Sequence, residues 1–333
     1  DGLTVALYKT LREDLQRPLL ECLSESILNG EMPTSMRQSV IRLIRKKGKD
    51  PKSVKSYRPI SLMNVDAKIF SRLLANRIEK GLKKIIGKQQ LGFVKGRNIA
   101  EGIRTIDFLI EDAYKKGTNG AVVAFDFEKA FDSISHRYLW ETLKRIGIPD
   151  RVIRMIKTLY KNPEAAVMNN GLTTKYFKQG RACRQGDAIS PYLFIIAIEP
   201  LIRKIENNDN IRGIRIKGNE RVKLSAYADD ITGFISRSED LLEMLEEFNN
   251  FKDLTGLKLN INKTEIMMIN QGIQLPEGIG DQVNVTRKMK ITGITFAVGD
   301  NKYSADEENY GEIEGKLMRH CAYMKTRNLS IHG

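Results

Sequence analysis

Three acidic residues stand where apolar strands should end. Asp126 follows the run AVVAF at 121–125, and Asp229 and Asp230 separate two strand-like runs, 222–227 and 231–236. An apolar strand leading straight into a carboxylate is unusual, because an unpaired buried charge is costly. Two such places invite a metal. Mg2+ takes hard oxygen ligands and keeps positions open for water and phosphate. Two such ions about 3.5–4 Å apart can activate a hydroxyl nucleophile and stabilise the leaving group of a phosphoryl displacement. The plainer reading of Asp229-Asp230 alone is a turn, since aspartate favours turns.

The elements that must hold these acids follow from periodicity. The AVVAF run suits a buried strand, and the two runs around Ala228-Asp229-Asp230 read as a hairpin. Residues 66–86 predict an amphipathic helix, with Phe70, Leu74, Ile78, Leu82 and Ile85 as its apolar stripe. Residues 138–146 predict another. Ser190-Pro191 reads as an N-cap followed by proline at the first helical position. The helix it opens is apolar nearly all round and so should be buried. Ser238 starts a further helix, with Leu241, Leu245, Phe248 and Phe251 inward and Gly256 as its stop. Strands and helices mix without a regular βαβ rhythm, which predicts an α+β fold.

Residues 41–58 read as a hairpin with a basic, flexible tip. It holds eight basic residues (Arg42, Arg45, Lys46, Lys47, Lys49, Lys52, Lys55, Arg58) and one acid, Asp50. Over all 333 residues, 55 Lys and Arg face 41 Asp and Glu, a formal charge of +14. Such a balance suggests a polyanionic partner, the alternative being a basic but inert surface. Three cysteines and three histidines are scattered without zinc spacing. They fit neither a disulfide framework nor a Cys/His metal site, and a reducing compartment is expected. No apolar run has the length of a membrane span. Opening on Asp1 rather than Met suggests a piece of something longer.

The sequences AVVAFDFEKAFDSISHRYLW, RQGDAISPYLF and AYADDITGF occur in that order and resemble motifs A, B and C of reverse transcriptases. Upstream, SYRPISL and QLGFVKGRN resemble the fingers motifs. Downstream, GLKLNINKTEIM and MKITGITF resemble motif D and the primer-grip region. Together they span most of residues 57–296. DGLTVALYKTL, SYRPISLMNVDAKIFSRLLANRI and QLGFVKGRN look like the LINE-type, non-LTR retrotransposon enzymes, with group II intron reverse transcriptases as near relatives.

The resemblance implies a right-hand polymerase with fingers, palm and partial thumb. It divides the chain into an N-terminal extension and fingers at 1–110, a palm at 111–297 with the motif B segment against the fingers, and the start of a thumb at 298–333. TRNLSIHG looks like the point from which such thumbs continue. The implied reaction is RNA-directed addition of dNTPs to a DNA primer 3′-hydroxyl, used for target-primed reverse transcription. The implied cofactor is a pair of Mg2+ ions, with Mn2+ able to substitute. The partners are an RNA template, a DNA primer and dNTPs, with no membrane. Localisation is expected to be nuclear for a eukaryotic LINE-type element and otherwise cytoplasmic.

Residue roles carry over by position. Asp126, Asp229 and Asp230 match the metal-binding carboxylates, and Phe127 offers its backbone carbonyl. Phe131, five residues after Asp126, matches the aromatic beneath the sugar 2′ position; otherwise it is a core phenylalanine. Gln185 and Gly186 match the motif B pair at the incoming nucleotide and template. Arg58 matches the arginine that grips the triphosphate, and a second fingers cation is expected from Arg45, Lys46 or Lys47. Lys263 matches the motif D lysine, where a cation could serve departing pyrophosphate; otherwise it is a solvated surface lysine. Lys95 and Arg97 are candidates for template or phosphate contact, and Tyr227 for the nucleic acid. Ala228 stands before the aspartates, as in many non-retroviral members. The rivals are a group II intron-like enzyme, an inactive RNA-binding scaffold and a two-metal nuclease. A dead scaffold should have lost one of the three aspartates, and a nuclease has no need of Phe131 or the Gln185-Gly186 pair.

Overall fold

A computed structural model describes residues 2–325 other than 47, 182, 217, 219, 271 and 281. The end of the expected thumb segment, 326–333, and Lys47 therefore lie outside the described residues. The chain forms two compact units that interleave along the sequence. Unit one takes residues 1–96, 127–203 and 249–258; unit two takes 97–126, 204–248 and 259–333.

The sheet of unit one is built on the basic hairpin. Strands Gln38–Arg45 and Tyr57–Met63 pair antiparallel, from Ser39 opposite Met63 to Arg45 opposite Tyr57. Glu164–Asn169 pairs parallel with Gln38–Arg45 on its other side and carries the short strands Leu172–Thr173 and Phe177–Lys178. Tyr57–Met63 is thus an edge strand. The amphipathic stripe takes up its helix at Val65–Ile85, where Phe70, Leu74, Ile78 and Leu82 are buried. Ile85 is only half-buried and Ile86, just beyond the helix, takes the inner position. The helix that reads as apolar nearly all round runs Ser190–Asn207, starting at Ser190 itself, and every side chain from Leu193 to Ile198 is out of solvent.

Unit two holds the acids. Its sheet has the order Asn284–Thr286, Glu265–Met268, Ala121–Phe125, Asp230–Ile235, Leu224–Tyr227. AVVAF is therefore the central strand, which explains its unbroken apolar run: both faces are covered. Val122, Phe234 and Met267 from three neighbouring strands join Ile106, Leu109 and Ile110 of helix Ile99–Lys115 in one core. Helix Ser238–Thr255 ends where Gly256 takes a left-handed φ of +81°. Along it Leu241, Phe248 and Phe251 are buried as the sequence suggests, while Leu245 is only half-buried and Met244 beside it is fully buried. Helix Asn301–Lys325 packs on the strand Ile294–Ala297. Among the described residues no helix is long and apolar enough to cross a membrane.

Candidate active site

In unit two, strand pairing brings the acids together. Phe125 lies opposite Ile231, and Tyr227 opposite Asp230. Continuing the first register by one residue sets Asp126 beside Asp230. The hairpin turn is thus Ala228-Asp229, tighter than the three-residue turn read from sequence, and Asp230 is already strand. Ala228 adopts φ +56°, a left-handed conformation that hairpin turns usually give to Gly or Asn. Backbone held in such a region for a residue with a Cβ costs free energy and is common at functional sites.

The three carboxyls repel one another in partly desolvated surroundings. Burial, then the charges of Asp229 and Asp126, push the Asp230 carboxyl up to about 6, although by surface area the residue as a whole is exposed. Burial, reinforced by Asp126, also raises Asp229, while a backbone hydrogen bond opposes the shift. Asp229 and Asp230, held above their ordinary range beside Asp126, would ionise more readily next to a cation. Among the described residues no three His, Cys, Asp or Glu close around a single point. The set is hard-oxygen, open and repulsive, which fits divalent ions that also need substrate oxygens.

One cation already belongs to the group. The Lys263 ammonium lies 3.4 Å from Asp126 Oδ2. It sits at the end of a one-turn 3-10 segment, Ile261–Lys263, whose preceding residue, Asn260, was not singled out in the sequence. The Asn260 N–H donates to the Asp126 carbonyl at 2.7 Å, and the Asn260 carbonyl accepts from the N–H groups of Lys263 and Thr264. Asn260 thereby ties the turn carrying the lysine to the end of the strand carrying the acid. Arg97 and Tyr227 are half-buried in the same unit.

Unit one collects the residues nominated for nucleotide contact. Gln185 and Gly186 run along the edge strand: Ser61 N–H donates to the Gln185 carbonyl at 3.0 Å. Gly186 has φ +99°, and a Cβ there would sit 2.9 Å from the Ser61 carbonyl oxygen. Both facts demand glycine. Arg58 lies on that edge strand, exposed, opposite Ile44. The Lys46 ammonium donates to the Lys55 carbonyl at 3.1 Å, within its own hairpin, whereas Arg45 is exposed. Phe127 is buried and Lys95 exposed. Phe131 is half-buried on the short helix Ala130–Ser133 and stacks on Phe194, with ring centroids 4.4 Å apart and planes 19° apart.

Two features under this group escaped the sequence reading. Asp132, next to Phe131, is hydrogen-bonded to the Gln185 side chain. Burial raises its carboxyl, while Lys129 and that hydrogen bond oppose the shift. Beneath the Gln185-Gly186 turn lies a buried polar cluster. Arg184 donates to the Leu159 carbonyl at 3.0 Å, lies 3.4 Å from Asp187 and covers the Tyr160 ring at 4.7 Å. The Ser71 hydroxyl donates to Asp187 and accepts from the Ile189 N–H at 3.2 Å. Ser71 was visible as a polar residue on an apolar helix face, a signal that a buried partner exists.

A central strand leading into Asp126, beside a hairpin with Asp229 in its turn and Asp230 at the start of its second strand, is the arrangement the sequence motifs lead one to expect. The family model described as reverse transcriptase (RNA-dependent DNA polymerase) matches residues 44–296. The chain belongs to this family. It is 34% identical over 245 residues to an uncharacterized 149 kDa protein of transposon TX1 from Xenopus laevis, covering 73% of this chain and 18% of that protein. It is 27% identical over 263 residues to the Pol polyprotein of the type-2 retrotransposable element R2DM from Drosophila melanogaster, covering 79% of this chain and 24% of that one. The LINE-type resemblance therefore holds, and the chain spans less than a third of either relative. A solved structure of apo telomerase from Candida tropicalis superposes with a TM-score of 0.55 over 80% of this chain and 54% of that one, at 14% identity. The fold is thus the α+β, right-hand polymerase fold.

Proposed function

We propose that this chain is the polymerase core of a LINE-type retrotransposon protein and copies an RNA template by extending a DNA primer with dNTPs. The observation that carries the reading is the junction of Asp126 with Asp229 and Asp230 at the ends of paired strands. Residues 1–110 serve as N-terminal extension and fingers, 111–297 as palm and 298–333 as the start of a thumb.

Asp126 and Asp229 are the principal metal ligands, with Asp230 as the third carboxylate and the Phe127 carbonyl as a further oxygen. Two divalent ions, Mg2+ by ligand chemistry and Mn2+ as substitute, would supply charge stabilisation at the attacking hydroxyl and the leaving pyrophosphate. Lys263 presents an ammonium beside Asp126, placed to donate a proton or positive charge to that leaving group. Arg58 grips the triphosphate through a planar fork of donors, with Lys46 as second cation once released from the Lys55 carbonyl. Phe131 closes off the sugar 2′ position. Gln185 and Gly186 meet the nucleotide and template, and Lys95, Arg97 and Tyr227 meet nucleic acid. Target-primed synthesis in the nucleus is the setting this reading expects.

Primer extension on RNA and on DNA templates, with Mg2+ and then Mn2+, tests the proposal. Extension on both templates that vanishes in Asp229→Asn is expected. The change should be roughly a thousandfold or more, the scale of several kcal/mol of transition-state stabilisation. Extension by the variant within tenfold of wild type would remove Asp229 from the chemistry.

A further inference from the structure

The hairpin of unit one has a closed and an open face. Ser39, Ile41, Ser61 and Met63 alternate along the buried side. Arg42, Ile44, Arg58 and Leu62 alternate along the other and are exposed, Ile44 at 54% and Leu62 at 44%. The register sets Ile44 opposite Arg58 and Arg42 opposite Ile60. Arg42 and Arg58 are therefore diagonal neighbours on the open face, at a spacing that long side chains bridge, roughly 7–8 Å between positions.

No described residue neutralises this pair. Among the described residues neither guanidinium has an ion pair or a side-chain hydrogen bond. Glu164 shares the face by register but is held by Gln38, whose side-chain amide donates to it at 3.1 Å. Two guanidiniums at diagonal positions repel one another, so the arrangement makes sense when an anion completes it. Two planar guanidinium forks match phosphate oxygens, and phosphate is the anion they bind best in bidentate fashion. The exposed Ile44 and Leu62 beside them offer apolar ground for a base or sugar. The Gln185 carbonyl docks on the same edge strand, three residues from Arg58.

We propose that Arg42, which no motif marks, joins Arg58 in a two-guanidinium phosphate site. The phosphate comes from the incoming dNTP or from the template backbone, and both present the same chemistry. This rests on the polymerase reading above, in which Arg58 already contacts phosphate.

The test compares wild type with Arg42→Ala, Arg42→Met, Arg42→Lys and Arg58→Ala. The KM and kcat for a dNTP are measured at saturating primer–template. The Kd for primer–template without dNTP is measured across a salt series. Loss of Arg42 should weaken one of the two affinities on the order of tenfold, the size of one charge-assisted contact, with kcat changed less. A raised KM assigns the dNTP. A raised Kd with a salt slope shallower by about 0.7–0.9 assigns a template phosphate. Arg42→Lys should restore only part of the affinity, because a point charge replaces a fork. Arg42→Met keeps the apolar stem, so a fold defect in the Ala variant alone does not decide the matter. If KM and Kd both stay within twofold of wild type in folded Arg42→Met, the site is wrong. Should Arg58→Ala be impaired in that same experiment, the polymerase reading survives the failure. Absence of any extension by wild type would instead defeat that reading, and the Kd series would still judge Arg42.

Discussion

The ammonium of Lys263 lies 3.4 Å from the Asp126 carboxylate, with the lysine side chain 67% and the acid 45% exposed. As a structural contact this pair matters little, because exposed ion pairs contribute at most about 1 kcal/mol. On the proposed reading it sets an ammonium that can donate a proton beside the acid proposed as a metal ligand. Lys263→Ala should therefore leave the melting temperature within a degree or two and lower kcat for extension by roughly a hundredfold, the low end for general acid catalysis. Lys263→Arg should keep the charge but lose proton delivery at neutral pH. Single-turnover extension decides it, and an unaltered rate in Lys263→Ala would return the residue to the solvated surface.

Asp230 makes stability depend on pH in the metal-free protein. Its carboxyl is pushed up to about 6, chiefly by burial and then by Asp229 and Asp126. An acid that holds its proton more tightly when folded weakens folding as it ionises. The loss begins as pH rises past the unfolded value, about 3.9, and is complete above the folded one. Asp230→Asn carries no such charge. The variant should match wild type near pH 4 and melt several degrees higher at pH 7, in the presence of a chelator. Adding Mg2+ at pH 7 should narrow that gap, since a cation offsets the repulsion that only wild type retains in full. A melting difference that does not vary between these two pH values would contradict the account.

Gly186 bears on both backbone and edge strand. At φ +99° any side chain is strained, and here the added Cβ would press on the Ser61 carbonyl at 2.9 Å. Gly186→Ala should cost about 1–3 kcal/mol of stability, as for other residues forced into sparse backbone regions. It should also displace Gln185, so KM for dNTP should rise by more than the folded fraction explains. Urea unfolding alongside dNTP kinetics separates the two. Wild-type behaviour in both would mean that the turn is not held against the strand.

How much of this was legible beforehand depends on the range of the forces involved. AVVAF was readable as a strand to the residue, because a central strand is apolar on both faces and ends abruptly at Asp126. The basic hairpin was readable because its pattern and turn residues are local. The helix Ser238–Thr255 was readable with Leu241, Phe248 and Phe251 inward, and only Leu245 gives way to Met244, since the two are equally apolar and packing chooses between them. Asp132, Asn260 and the Ser71–Asp187–Arg184 cluster were not readable. Their partners lie far away in sequence, and a lone polar residue says that a partner exists without naming it. Arg42 was one of eight basic residues in its segment; only strand register sets it on the face of Arg58.

Phe131 offers the clearest contest between chemistry and packing. It stands five residues after Asp126, where the family has the aromatic that closes off the sugar 2′ position. It is also stacked on Phe194 at 4.4 Å, and its carbonyl accepts from the Cys183 N–H at 2.7 Å. The residue is half-buried, so packing does not enclose it fully. A steric gate acts against the wrong substrate and adds little to binding of the right one. Phe131→Val should therefore raise kcat/KM for rCTP by more than it lowers kcat/KM for dCTP on one template. Loss of the stacked ring adds a stability cost below the roughly 3–5 kcal/mol of a fully buried Phe→Ala, because the site is half open. The two effects are separable, since unfolding reduces both substrates in proportion and leaves their ratio alone. Phe194→Leu serves as the comparison. It removes the stacking partner from the buried side, so it should lower the melting temperature while shifting the sugar ratio less than Phe131→Val does. Were Phe131→Val to lower the melting temperature and leave the rCTP to dCTP ratio at its wild-type value, Phe131 would be a packing residue and the 2′ position would be guarded by another group.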